Sequence, residues 1–216
     1  MCGIVGYVGG KDPLPVILEG LRRLEYRGYD SAGIAVAGGP NGLELRRAPG
    51  KLKNLEEVLR RQPLQGTYGI GHTRWATHGR PTEENAHPHR DCTGRLVVVH
   101  NGIVENYLAL RQEMAAEGSV FTSDTDTEVI AHLVEHYLAV GLALPEAVRL
   151  ALGRLQGAQA VVVLSAREPD KLIASRIGNA GGVTLGVGPG EMLVASDVPA
   201  ILDHTREMVF LESRQM

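Results

Sequence analysis

Aromatic side chains make up only 4% of the 216 residues, so the interior has to be filled by Val, Leu, Ile and Ala. Cysteine is nearly absent as well. Two residues, Cys2 and Cys92, cannot build a disulfide framework, and a reducing, cytoplasmic setting is expected. No basic stretch precedes the apolar start, so no secretory signal is expected. The longest uncharged run, residues 177–190, is rich in glycine and too short to span a bilayer. Position 2 is Cys and not Gly, which excludes the myristoylation pattern. A dominant charge sign is missing too: the net charge is −3 with both signs scattered, which argues against a nucleic-acid-binding or anionic-membrane surface. There is no internal repeat, low-complexity tract or linker.

What is there is a globular composition, 44% hydrophobic and 22% charged, in a chain long enough for a sizeable core. Gly3–Val8 is short, β-branched and bounded by glycine, and reads as a strand. Leu14, Ile17, Leu18, Leu21 and Leu24 fall at helical spacing, with Gly28 available to end the helix. "GIAVA" and "LELRRA" are strands, and "NLEEVLRRQ" is a short helix with Asn54 as its expected cap. "TYGIGHTR" and "RLVVVHNG" are strands, the second apolar enough for burial on both faces. A helix is expected from about Val104 to Ala116. A second starts with a capping box of Thr125 and Glu128 and stops at Gly141. Pro145 opens a third. Strands and turns fill the remainder. Helices segregated from runs of strands make the fold class α+β, expected as one domain over residues 1–216.

Several stretches concentrate chemistry. Cys2 is either a buried apolar thiol or, if Met1 is removed, a nucleophile carrying its own base, because the freed α-amine sits on the same residue. The polar segment from His72 to His89 gathers Arg74, Trp75, Thr77, His78 and His87. It reads either as a solvated loop or as an active-site lid, with an arginine for a carboxylate and an aromatic ring to exclude water. His87, His89 and Cys92 are zinc-binding residue types, but H-x-H-x-x-C is not a usual zinc spacing, and no metal is expected. Asn101-Gly102 at a strand end suits a turn or an oxyanion hole. Asp124 and Asp126 suit a helix N-terminus, or can hold a substrate ammonium. Arg27, Gly28, Tyr29, Asp30 and Ser31 form a polar, glycine-containing junction.

Taken in order, "MCGIVGYVG", "LRRLEYRGYDSAG", "HTRWATHG", "NAHPH", "VVVHNGIVEN" and "SDTDTEVIAHL" resemble the glutaminase domain of the class II glutamine amidotransferases, members of the N-terminal nucleophile hydrolase superfamily. Tyr29 and Trp75 side with the branch that aminates fructose 6-phosphate to glucosamine 6-phosphate. The resemblance implies a four-layer αββα sandwich and no cofactor. It implies that Cys2 attacks the side-chain amide of L-glutamine with its α-amine as base, and that Asn101 and Gly102 stabilise the oxyanion. Arg74 would receive the α-carboxylate and Asp126 the α-ammonium. Trp75, Thr77 and His78 would belong to a closing loop with His87 beside it, and Arg27 and Gly28 would position Cys2.

The resemblance also implies a sugar-binding isomerase half beyond this chain, through which alone fructose 6-phosphate would act. No Walker-type phosphate loop is present, and Lys11, Lys51, Lys53 and Lys171 sit in polar or turn contexts unsuited to a Schiff base with a ketose. Homo-oligomerisation is compatible with the sequence. "SRIGNAGGVTLGVG" departs from the family's turn, a change expected to alter local geometry more than chemistry. Two rival readings are an amidotransferase domain serving another acceptor and a non-catalytic scaffold of the same fold.

Overall fold

The computed structural model describes residues 2–75 and 79–216. Its first strand, β1 (Gly3–Gly9), shows how two faces of one sheet come to be buried. Successive side chains alternate. Val5 and Tyr7 point into one core and Ile4 into another. β1 pairs antiparallel with β4 (Tyr68–Arg74) on one side and β10 (Glu191–Ala195) on the other. With β2 (Ser31–Gly39), β3 (Gly42–Pro49), β9 (Thr184–Gly188) and β11 (Met208–Phe210) these make a seven-stranded sheet in the order β11-β9-β10-β1-β4-β2-β3. A second sheet has the order β5-β6-β7-β8, from His89–Arg90, Leu96–Gly102, Gln159–Ser165 and Leu172–Ile177.

Three cores separate four layers. Helices α1 (Pro13–Leu24) and α2 (Leu52–Arg61) cover the outer face of the first sheet through Ile17, Leu21, Leu24 and Leu55. Between the sheets lie Ile4, Ile70, Val97, Val99, Val162 and Leu164. The outer face of the second sheet, with Leu96, Val98, Val161 and Val163, packs on α3 (Tyr107–Ala116), α4 (Glu128–Ala139) and α5 (Leu144–Gly153). This is an α+β sandwich in αββα order. Each such aliphatic side chain contributes roughly 1.5–3 kcal/mol on burial. The sheets approach closely where side chains are missing: a Cβ at Gly6 would lie 2.6 Å from Val194 Cγ1 and 2.9 Å from Leu172 Cδ1.

Three local expectations are corrected, and one short strand was not expected. Asn54 does not cap α2; it lies in the first turn and donates to Pro49 O at 2.8 Å, while Glu25 accepts the Leu52 N–H at 3.0 Å. The Thr125–Glu128 capping box does not form, because Glu128 instead accepts the N–H groups of Thr122 and Ser123, both at 2.8 Å. α3 begins at Tyr107 and not at Val104, whose N–H is taken by Asp126 Oδ2 at 2.7 Å. The two-residue strand β5 is too short to leave a periodic signal. Among the described residues, no helix is long and apolar enough to cross a membrane.

Candidate active site

Because β1 and β4 are antiparallel, the start of one lies beside the end of the other, with Gly3 opposite Thr73. Cys2 therefore sits against the Arg74–Trp75 backbone. The Trp75 N–H donates to Cys2 Sγ at 3.1 Å, and Sγ lies 3.6 Å from Trp75 O. Glycine at 28 permits this approach, since a Cβ there would stand 2.7 Å from the Arg74 carbonyl carbon and 2.9 Å from Trp75 N. The Cys2 carbonyl is held from two sides, by Arg27 Nε at 3.3 Å and Asn101 Nδ2 at 3.1 Å. Arg27 is itself fixed by Asp197, at 2.6 Å.

Burial pushes the Cys2 thiol up, against the opposing pull of the Trp75 N–H and the Arg74 and Arg27 charges. Among the described residues no histidine makes a hydrogen bond with Sγ. A thiol in this setting needs a base from elsewhere to become a nucleophile.

β6 delivers the opposite wall. Asn101 and Gly102 end it, and Gly102 adopts φ +132°, a conformation that favours glycine. A Cβ there would also meet Ala158 O at 2.2 Å. The amide orientation of Asn101 is set by His72, whose Nε2 lies 3.1 Å from Asn101 Oδ1 and 3.2 Å from His100 O. Both partners are acceptors, so Nε2 carries the proton, and Asn101 Nδ2 is left as the donor beside Cys2.

Cys2, Arg74, Trp75, His87, Asn101, Gly102 and Asp126 line one cavity of about 480 Å³, in the range of small-molecule sites. Arg74 and Asp126 are both buried, so one cation and one anion face a cavity that also holds a thiol. Asp126 is not a cap of α4; its carboxylate bonds the Val104 N–H across the cavity wall. Trp75 is 45% exposed at the rim and meets Tyr29 edge-on, with ring centroids 5.4 Å apart. Thr77 and His78 lie outside the described residues.

The structure also joins groups that the sequence left apart. Asn179, Ala180 and Gly181, in the segment departing from the family turn, form part of the wall. His72, His87, His89 and His100 form a buried array, with His72 and His87 stacked at 4.1 Å and His87 and His89 meeting edge-on at 4.7 Å. His100 is locked between Thr127 Oγ1 at 2.8 Å and Gln159 Oε1 at 2.5 Å. The set His87, His89 and Cys92 is not brought together as a metal site; among the described residues, Cys92 clusters with His132 and Glu135.

Burial pushes all four imidazoles of the array below their ordinary range, His72 and His89 to about 3. They are neutral in the fold, whereas in the unfolded chain they take up protons near pH ~6.5. The unfolded state therefore binds more protons between these limits. Their contribution is complete above pH ~6.5 and is lost on acidification, by up to about 1.4 kcal/mol per pH unit for each histidine. His132 acts in the opposite sense: against the cost of its burial, Glu128 and Glu135 hold it above its ordinary value. With four groups against one, the denaturant midpoint should fall clearly between pH 7 and pH 5. Equal midpoints would contradict neutral buried imidazoles.

Residues 72–203 match the family model of the glutamine amidotransferase domain. The chain is 51% identical to the glutamine–fructose-6-phosphate aminotransferase (isomerizing) of Thermococcus kodakarensis, over 98% of this chain and 35% of that protein. It is 56% identical to the enzyme of the same name from Gloeobacter violaceus, over 98% of this chain and 34% of that one. It thus spans about a third of the length of these relatives. Among solved structures, the glutamine phosphoribosylpyrophosphate amidotransferase of B. subtilis, complexed with ADP and GMP, superposes with a TM-score of 0.83 at 26% identity. That match covers 98% of this chain and 46% of that one. With its cysteine at the head of β1, its αββα layering and this match over most of its length, the chain belongs to the class II glutamine amidotransferase domains, which have the N-terminal nucleophile fold.

Proposed function

We propose that residues 1–216 are a single glutaminase domain that hydrolyses the side-chain amide of L-glutamine at Cys2. Once Met1 is removed, the Cys2 α-amine takes the thiol proton and the sulfur attacks the amide carbon. The developing oxyanion accepts hydrogen bonds from Asn101 Nδ2 and the Gly102 N–H. The proton held by the amine passes to the leaving nitrogen, ammonia departs, and water then cleaves the thioester to glutamate. Arg74 receives the α-carboxylate and Asp126 the α-ammonium. Arg27 and Gly28 position Cys2, Trp75 with Thr77 and His78 closes the site, and His87 supports its wall. The observation that carries this reading is the presence of Arg74 and Asp126 in the same cavity as the thiol and the Asn101–Gly102 pair, a charge pattern matched to a zwitterionic amino acid.

The names of the relatives support a second step of the proposal, in which the ammonia aminates fructose 6-phosphate in an isomerase half outside these residues. Two free thiols suit the cytoplasm. The 216-residue chain, with Met1 removed, should convert glutamine to equal amounts of glutamate and ammonia. It should make no glucosamine 6-phosphate and should not respond to fructose 6-phosphate. Glucosamine 6-phosphate from this chain alone would overturn the division of labour.

Asp126→Asn tests the ammonium contact. Asparagine keeps an acceptor for the Val104 N–H, so the fold should survive. Leaving one charge of a buried pair unmatched costs about 2–5 kcal/mol. KM for glutamine should therefore rise by roughly 30-fold or more. An unchanged KM with a lowered melting temperature would make Asp126 a structural anion only.

A further inference from the structure

Cys92, in the turn between β5 and β6, meets two residues one helical turn apart on α4, His132 and Glu135. One ligand atom from each lies within 4.8 Å of the others. His132 Nδ1 is 3.6 Å from Cys92 Sγ and 3.2 Å from Glu135 Oε2. A tetrahedral ion with a metal–sulfur bond of about 2.3 Å and metal–nitrogen and metal–oxygen bonds of about 2.0–2.2 Å sets an S···N edge of about 3.6 Å and an N···O edge of about 3.4 Å. The two separations in the structure fall close to these edges. None of the three residues lines the cavity around Cys2.

The surroundings suit a bound cation as well. Cys92 Sγ accepts the Val120 N–H at 3.3 Å, and the Glu135 carboxylate accepts the N–H groups of Cys92 and Thr93, both at 3.1 Å. Burial and the neighbouring carboxylates push the Cys92 thiol up, against the pull of the Val120 N–H, so the thiolate needs the cation itself; the N–H donors leave each acceptor a further lone pair for it. The Phe121 ring packs edge-on against His132 at 4.4 Å and fixes its plane. His132 Nε2 is buried and has no hydrogen-bond partner, and Glu128 Oε1 stands 3.8 Å from it. With a metal on Nδ1, the proton must reside on Nε2, on the side of that carboxylate, which at 3.8 Å favours it electrostatically without a hydrogen bond. Cys92 is exposed, which gives an ion a path in and leaves the fourth position to water.

We propose that Cys92, His132 and Glu135 bind one divalent cation of the zinc class. A thiolate, an imidazole and a carboxylate select such an ion over magnesium or calcium. On binding, the Cys92 S–H bond breaks and its proton passes to solvent, and the proton that His132 Nδ1 directs at Glu135 Oε2 leaves too, to solvent or, in the neutral ring, to Nε2 by way of water. His132 binds through Nδ1 as neutral imidazole and Glu135 as carboxylate. The ion ties the β5–β6 turn to α4.

Cobalt(II) is the probe, titrated into chelator-stripped protein carrying Cys2→Ala, so that Cys92 is the sole thiol. One equivalent should bring up tetrahedral visible bands and a sulfur-to-cobalt charge-transfer band, both lost on adding zinc. The bands should be absent when Cys92→Ser is added. In Glu135→Gln, which retains an acceptor for the two N–H groups, affinity should fall at least about tenfold. Zinc should raise the melting temperature of the Cys2→Ala protein but not of the double variant. Cys92→Ser alone should retain full glutaminase activity. No charge-transfer band in Cys2→Ala protein, or the same band after Cys92→Ser, would overturn the site.

Discussion

Cys2→Ala should lower glutamine hydrolysis by at least about 10⁴-fold, the scale seen when a catalytic nucleophile is deleted. Its melting temperature should stay within a few degrees of the parent. The two effects separate because of where the residue sits. Cys2 precedes β1 and is only half-buried, so the sulfur anchors no core. The strand behind it is held by β4 and β10 regardless of that side chain. Cys92→Ala provides the contrast: it removes the other thiol, away from the cavity, and activity should stay near the parent level. Comparable losses in the two variants would remove Cys2 from its role.

A chain that keeps Met1 should be slower by about 10²–10⁴-fold, the usual worth of a general base, even though its thiol is intact. The site explains why. Burial raises the thiol, and its partners among the described residues are a backbone N–H and a carbonyl. With Met1 attached, the Cys2 nitrogen is an amide and cannot take the proton. Comparing two preparations of known intact mass, with and without Met1, in an ammonia-release assay checks this. Equal turnover in both would contradict the free-amine mechanism.

Much of this site was legible in the sequence, for a physical reason. Cys2, Arg74, Asn101 and Gly102 stand at strand ends, and "GIVGYVG", "YGIGHTR" and "LVVVHNG" are strands that their own composition dictates. Once those three run as they do, the four residues converge. Less legible was which partner each polar group takes once the chain is folded. Glu128 forms no capping box because Thr122 and Ser123 engage it instead, and Val104, three residues before α3, gives its N–H to Asp126.

The histidine array leaves no periodic trace, since the burial of His72 and His100 is decided by the opposing sheet. Asn179–Gly181 shows the same limit: far from Cys2 in sequence, it forms part of the wall of Cys2's cavity, so an altered turn there bears on the site and not on local geometry alone. Likewise Asp197, which holds Arg27, sits 170 residues away from it.

The central claim is that a processed Cys2 forms a covalent bond to the side-chain carbon of glutamine. Rapid acid quenching of the Met1-free chain with excess glutamine, followed by intact-mass and peptide analysis, tests it most directly. The expected species carries the mass of glutamine less ammonia, located on Cys2, and is absent from Cys2→Ala. Ammonia release with no such adduct, or with the adduct on Cys92, would contradict the account.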